Sequence, residues 1–134
     1  MKANTVIIVD DDPLAILISK SLIEKSGLLD DGVQLYTFDK PKEAVAFMET
    51  YAKNIDQQAV VLLDINMPVM DGFQVLESLK QSGTTHAFKV IMLTSSIAHQ
   101  DRERATGFSC VVDYFSKPLD LNKISIIRSL LNQS

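Results

Sequence analysis

The carboxylates Asp10, Asp11 and Asp12 form one run, and Asp64 stands alone directly after Val60-Val61-Leu62-Leu63. Further along, Thr94-Ser95-Ser96 and Lys117-Pro118 each follow an apolar run of the same kind. Carboxylates converging in a small concavity repel one another, and the arrangement becomes favourable once a hard divalent cation with oxygen ligands lies between them. Mg²⁺ is the natural candidate, with Mn²⁺ an equivalent. Its near-octahedral shell would use one or two carboxylates, a backbone carbonyl, water and phosphoryl oxygens. A carboxylate such as Asp64 can itself accept a phosphoryl group as an acyl phosphate. The Lys117 ammonium would offset charge, and the Thr94 hydroxyl would donate to a phosphoryl oxygen. Asp12 falls outside this set, because Pro13 suits the first helical position and makes Asp12 the helix cap.

These residues need elements that bring them together. Five short runs rich in β-branched and aliphatic residues read as strands: Thr5 to Val9, Gln34 to Phe38, Ala59 to Leu63, Lys89 to Leu93 and Val111 to Phe115. Longer stretches of helical period alternate with them. Ala44, Phe47, Met48 and Tyr51 recur at i, i+3, i+4, i+7, and Gly72, Val75, Leu76 and Leu79 repeat the spacing. A first helix starts at Pro13 and stops before Gly27, and a last one runs from Leu121 to Leu131 after a cap at Asp120. Ile97 to Thr106 gives the least firmly anchored helix, since His99 to Glu103 is polar without interruption. The pattern is (βα)5, an α/β chain with a doubly wound five-stranded parallel sheet. Such sheets bind ligands beyond the carboxyl ends of their strands, where the polar residues above fall.

With 134 residues, 46% of them hydrophobic, the chain fits one domain with an ordinary core. A single cysteine, Cys110, excludes a disulfide framework and reads as a small apolar filler. The net charge of −4 and the lack of a basic stripe argue against nucleic acid as a partner. The apolar runs are strand-sized, and the N-terminus shows no signal-peptide pattern, so a cytoplasmic protein away from the membrane is expected. His86 and His99 lie in polar stretches with no second histidine at ligand spacing.

Four segments carry a resemblance: Ile7-Ile8-Val9-Asp10-Asp11, Leu62-Leu63-Asp64-Ile65-Asn66-Met67-Pro68-Val69-Met70-Asp71-Gly72, Ile91-Met92-Leu93-Thr94-Ser95 and Tyr114-Phe115-Ser116-Lys117-Pro118. In this order, each at a strand end, they resemble the receiver domain of two-component response regulators, with its flavodoxin-like fold. The resemblance implies that Asp64 is the phosphoacceptor. It implies that Asp10, Asp11, Asp64 and the backbone carbonyl of Asn66 hold the metal. Thr94 would be the switch hydroxyl, Lys117 the phosphoryl-contacting cation and Tyr114 the aromatic switch residue. Tyr114 also reads as an ordinary half-buried strand aromatic. Pro118 would be structural, following a cis peptide bond, and Asn66 and Ser96 would tune the lifetime of the acyl phosphate.

The function expected from the resemblance is a phosphorylation-dependent switch fed by a phosphohistidine of a sensor histidine kinase or histidine phosphotransfer protein. It would assist its own phosphorylation and dephosphorylation without a separate turnover substrate. A phosphatase of the dehalogenase-like type is disfavoured, because the position two residues after Asp64 is Asn66 and the acid–base aspartate of that pattern is missing. A nucleotide-binding loop is disfavoured too, since three carboxylates follow the first strand where glycines should cradle phosphate. About three residues follow the last helix, so the expectation is one receiver domain over 1–134 without an output domain, signalling to a separate protein through the surface of residues 95–131. In the last helix Ile124, Ile127 and Leu131 form the core stripe, while Ile126 and Leu130 read equally as partner contacts or as edge packing.

Overall fold

The structure is a computed structural model that describes residues 4–54, 57–95 and 99–132, with only the backbone of residues 99 and 100. The elements run β1 (Thr5–Val9), α1 (Pro13–Lys25), a 3-10 turn (Leu28–Asp31), β2 (Gln34–Phe38) and α2 (Pro41–Lys53). They continue with β3 (Ala59–Asp64), α3 (Gly72–Gln81), a second 3-10 turn (Thr85–Ala87) and β4 (Phe88–Thr94), and end with α4 (His99–Ala105), β5 (Val111–Ser116) and α5 (Leu121–Leu131). The strands form one parallel sheet in the order β2-β1-β3-β4-β5.

The three inner strands are almost wholly buried, because helices cover both faces of the sheet. Alternate side chains divide the core. Val6, Ile8, Val60, Leu62, Ile91 and Leu93 pack against Ile23 of α1 and Ile124, Ile127 and Leu131 of α5. Ile7, Val9, Val61, Leu63, Val90 and Met92 pack against α2, α3 and Ala105 of α4. The apolar spacing in the sequence thus marked the inward stripes of α2 and α3 correctly. Strands β3, β4 and β5 extend one residue further than the apolar runs, so Asp64, Thr94 and Ser116 are their last residues.

Caps fix where the helices begin. Asp12 accepts from the Leu14 N–H at 3.0 Å, and Asp120 accepts from the Lys123 N–H at 2.9 Å. Asp71 and Gln74 form a reciprocal capping box at the start of α3. Among the described residues helix α4 runs from His99 to Ala105, one residue short of the expected Thr106, and Ile97, where the expected helix begins, lies outside them. Among its described side chains Ala105 alone is a buried apolar one. The Arg104 guanidinium lies 4.3 Å from the Phe73 ring centre, and the Arg102 guanidinium lies 5.3 Å from that of Tyr114. Cation–π contacts therefore do for α4 part of what apolar burial does for the other helices.

Two features were not legible from the spacing. In β5 the register slips, pairing Val90 with Val111 but Ile91 with Asp113, so Val112 is an extra residue. Without it, alternation would carry Tyr114 to the α5 face; with it, Tyr114 shares the α4 face with Met92. Gly72, which the helical period assigned to the apolar stripe of α3, has another reason to be glycine. A Cβ there would lie 2.5 Å from the Asp64 carbonyl oxygen and 3.1 Å from the Ile65 Cα. The Gly72 N–H also donates to the Ile65 carbonyl at 2.9 Å, so α3 starts hard against the strand end that bears Asp64. Gly72→Ala is expected to destabilise the fold by about 2–4 kcal/mol, because the obstructing atoms are backbone and cannot swing aside. Urea unfolding checks this, and a loss below about 1 kcal/mol would show that the approach can relax.

Candidate functional site: an acidic cleft at the carboxyl edge of the sheet

Parallel pairing sets Val9 beside Leu63, which brings Asp10 and Asp64 together at the ends of β1 and β3. Asp64 in turn pairs with Leu93, and Thr94 with Ser116, so the hydroxyl and Lys117 follow on the next two strands. Carboxylate oxygens of Asp10, Asp11 and Asp64 lie within 4.8 Å of one another. Asp10 and Asp64 are buried, at 1% and 3% exposure, and Asp11 is half-buried. Three hard oxygen donors this close fit a divalent cation such as Mg²⁺.

One ammonium balances the cluster in part. Lys117 Nζ is 2.7 Å from Asp10 Oδ2 and 3.5 Å from Asp64 Oδ2. The other Asp10 oxygen accepts from the Asp12 N–H at 3.0 Å, and Asp64 Oδ1 accepts from the Asn66 N–H at 3.3 Å. Burial first, and the adjacent Asp10 charge second, push the Asp64 carboxyl up from 3.8 to about 7, against the pull of the Lys117 ammonium and the Asn66 N–H. For Lys117, partial burial acts downward, but the hydrogen bond and attraction to Asp10, then to Asp64, outweigh it and raise the ammonium above its ordinary value.

Thr94 is fully buried, and its hydroxyl accepts from the Asn66 side-chain amide at 3.4 Å. The Lys117 N–H donates to the Thr94 carbonyl at 2.7 Å, tying the two strand ends together, and the Lys117-Pro118 peptide bond is cis. Tyr114 is half-buried against the α4 side of the core, and its hydroxyl donates to the Arg102 carbonyl at 2.7 Å. Burial raises the Tyr114 phenol, with the Arg102 charge acting the other way. Of the site residues singled out in the sequence, Asp10, Asp11, Asp64, Asn66, Thr94, Lys117 and Pro118 lie at or just beyond these strand ends, Tyr114 lies further back along β5 opposite Met92, and Ser96 is outside the described residues. Cys110 is buried, with its thiol pushed up by that burial, and His86 is exposed.

Sequence reasoning missed two features around the cleft. Val69, exposed between β3 and α3, has φ 70°, and the Met70 N–H donates to the Pro68 carbonyl at 2.7 Å across it. A β-branched residue at the centre of such a γ-turn is strained backbone beside the Asp64 strand end. The second feature is a strip on α1. Leu14, Leu17 and Ile18 are exposed at i, i+3, i+4; Ile18, with Pro118 and Leu119, lines a cavity that reaches Asp10 and Lys117, and Leu17 lines a second one alongside the same three residues. The signal was present, since α1 carries more apolar residues than its inward stripe uses. Leu130 packs against the core whereas Ile126 is exposed, which settles edge packing for the former only.

The family model of the response regulator receiver domain matches residues 6–127. The chain belongs to the response regulator receiver domain family. It is 33% identical over 118 residues to the heme response regulator HssR of Staphylococcus epidermidis, covering 88% of this chain and 46% of that one. The chain thus spans about half the length of that curated relative. A response regulator receiver protein from Dyadobacter fermentans superposes with a TM-score of 0.77 at 26% identity, covering 95% of this chain and 94% of its own. The receiver domain of a Pseudomonas aeruginosa sensor histidine kinase, whose structure has magnesium coordinated in its active-site cleft, has a TM-score of 0.72 at 19% identity, with 96% and 97% covered. As a receiver domain this chain serves two-component signalling as a phosphoacceptor module, and the cluster of Asp10, Asp11 and Asp64 fits that chemistry. No helix among the described residues is long and apolar enough to cross a membrane.

The receiver domain's raised Asp64 carboxyl has a sign in stability. Asp64 keeps its proton to higher pH folded than unfolded, so the metal-free fold loses stability as pH rises from the ordinary carboxylate range to about 7. In chelator, the wild-type unfolding midpoint is expected to fall more between about pH 5 and about pH 8 than that of Asp64→Asn. At the upper pH Asp64→Asn should be the more stable by about 1–3 kcal/mol. Parallel midpoints for the two proteins would contradict the raised carboxyl.

Proposed function

We propose that Asp64 accepts a phosphoryl group from a phosphohistidine of a sensor histidine kinase or histidine phosphotransfer protein, and that this alters the surface read by a separate target protein. The observation that carries the reading is the meeting of three carboxylates and Lys117 in one cleft, with Asp64 at its floor. An Asp64 carboxylate oxygen forms the bond to phosphorus while the P–N bond to imidazole breaks, and the electron pair stays on the ring nitrogen. No general base is needed once a bound cation keeps Asp64 ionised, because the attacking group is then a carboxylate.

Asp10, Asp11, Asp64 and the Asn66 backbone carbonyl would hold the Mg²⁺ or Mn²⁺. When bound, the ion supplies charge neutralisation for the phosphoryl oxygens. Lys117 would turn from Asp10 to the phosphoryl group, and Thr94 would donate its hydroxyl proton to another phosphoryl oxygen. Tyr114, now held by the Arg102 carbonyl, is the switch residue that follows Thr94, and Pro118 is structural. The chain promotes its own phosphorylation and dephosphorylation and turns over no separate substrate.

Ile18 lines the cavity that reaches Asp10 and Lys117, and Leu14 and Leu17 are exposed on the same helix, which favours reception of a protein donor over α1. Val112, Leu121 and Ile126 are exposed within residues 95–131, which favours that face for the target. The output passes through protein contacts, with no direct nucleic-acid or membrane partner and a cytoplasmic location.

Intact mass after incubation with Mg²⁺ and acetyl phosphate tests the reading. One added phosphoryl group is expected, dependent on Mg²⁺, lost in mild base and absent from Asp64→Asn. An adduct that persists in Asp64→Asn, or steady turnover of assorted phosphate esters, would overturn it.

A further inference from the structure

Lys123, in the first turn of α5, takes no part in the site described above, yet it grips the segment that carries Lys117. Its ammonium donates to the Ser116 carbonyl at 2.5 Å and to the Pro118 carbonyl at 2.8 Å. These carbonyls immediately precede and follow Lys117. Asp120 Oδ2 lies 3.7 Å from the same ammonium, while Asp120 Oδ1 holds the Lys123 backbone N–H. The ammonium thus donates to two carbonyls and forms an ion pair with one carboxylate.

An ordinary surface lysine would not sit this way. A long stem extends its charge into water by preference, and a cation in the first helical turn faces the positive end of the helix dipole. Lys123 instead folds back, with its side chain only 20% exposed. The effect is local and specific. With the Lys117 N–H on the Thr94 carbonyl, the backbone around Lys117 is held on three sides. Lys117 needs that support, because its flexible stem must deliver an ammonium to within 2.7 Å of Asp10 and 3.5 Å of Asp64. Phosphoryl transfer depends mainly on positioning, so a small displacement of this charge is costly in rate.

We propose that Lys123 is a positioning residue for phosphoryl transfer, clamping the Ser116 and Pro118 carbonyls so that the Lys117 ammonium stays over the carboxylates. The proposal rests on the reading of Lys117 as the phosphoryl-contacting cation. Lys123→Met keeps the stem and removes the donors, and Lys123→Arg restores them. Two readouts on the full chain separate the possibilities: the side-chain ¹⁵N resonance of Lys117 in the unphosphorylated protein, and the rate of Mg²⁺-dependent phosphorylation by acetyl phosphate at saturating donor.

In Lys123→Met the Lys117 ammonium should exchange faster with water, and phosphorylation should slow by at least about fivefold. Mg²⁺ affinity should stay within about twofold, Lys123→Arg should recover much of the rate, and Lys123→Met in a Lys117→Ala background should cause no further loss. If Lys123→Met does not fold, Lys123→Gln, too short to span both carbonyls, repeats the comparison. An unchanged Lys117 resonance and rate in a folded variant, or an equal loss of rate in the Lys117→Ala background, would overturn the proposal and leave Lys123 as a staple of α5. A wild-type chain that takes no phosphoryl group, while its Lys117 resonance still depends on Lys123, would overturn the phosphoacceptor reading instead.

Discussion

Asp10 and Asp64 stand side by side because β1 and β3 pair in parallel with Val9 opposite Leu63. Two buried carboxylates and the half-buried Asp11 are thereby forced together with Lys117 as their ammonium partner. The fold cannot relieve this repulsion without breaking the register that builds its core. Charge therefore remains under-compensated at the one place where strand ends, rather than side-chain packing, decide what lies next to what. A divalent cation and a phosphoryl group are the species that turn this arrangement from a cost into an interaction.

The surroundings of the cleft read as supports for that unstable centre. Gly72 lets α3 start directly against the Asp64 carbonyl, and the β3–α3 loop closes through the strained backbone at Val69. The extra residue in β5 turns Tyr114 toward α4, onto the face that Thr94 shares by alternation along β4. Its hydroxyl bonds the backbone of a helix held largely by arginine–ring contacts, and such contacts can be exchanged without tearing open a core. A change in charge at Asp64, which Asn66 links to Thr94, thus lies close to a helix whose only buried apolar side chain among those described is Ala105, the kind of element a bistable switch requires.

Much of this was legible in the chain itself. Strands β1 and β2, and helix α5, begin and end where apolar runs and capping residues put them, because parallel strands buried on both faces and well-capped helices leave strong local signals. The cleft was legible for a related reason: strand ends in such sheets converge, so polar residues terminating apolar runs must meet. The rest was not, because it depends on contacts between distant backbones. Nothing local distinguishes Gly72 as a close-approach glycine from a weak position in a helical stripe, and no spacing rule marks Val112 as the extra residue in a register. Lys123 has the local pattern of a solvated lysine, and only the turn from β5 into α5 brings the carbonyls of Ser116 and Pro118 within reach of its ammonium.

Asp64 lies in a buried cluster short of positive charge, and the most direct test of that is its own titration by ¹³C carboxyl NMR, without metal and with saturating Mg²⁺. The midpoint is expected near 7 in the metal-free protein, falling to about 4 or below when the cation is bound. A midpoint at an ordinary aspartate value of about 4 without metal, unmoved by Mg²⁺, would contradict it.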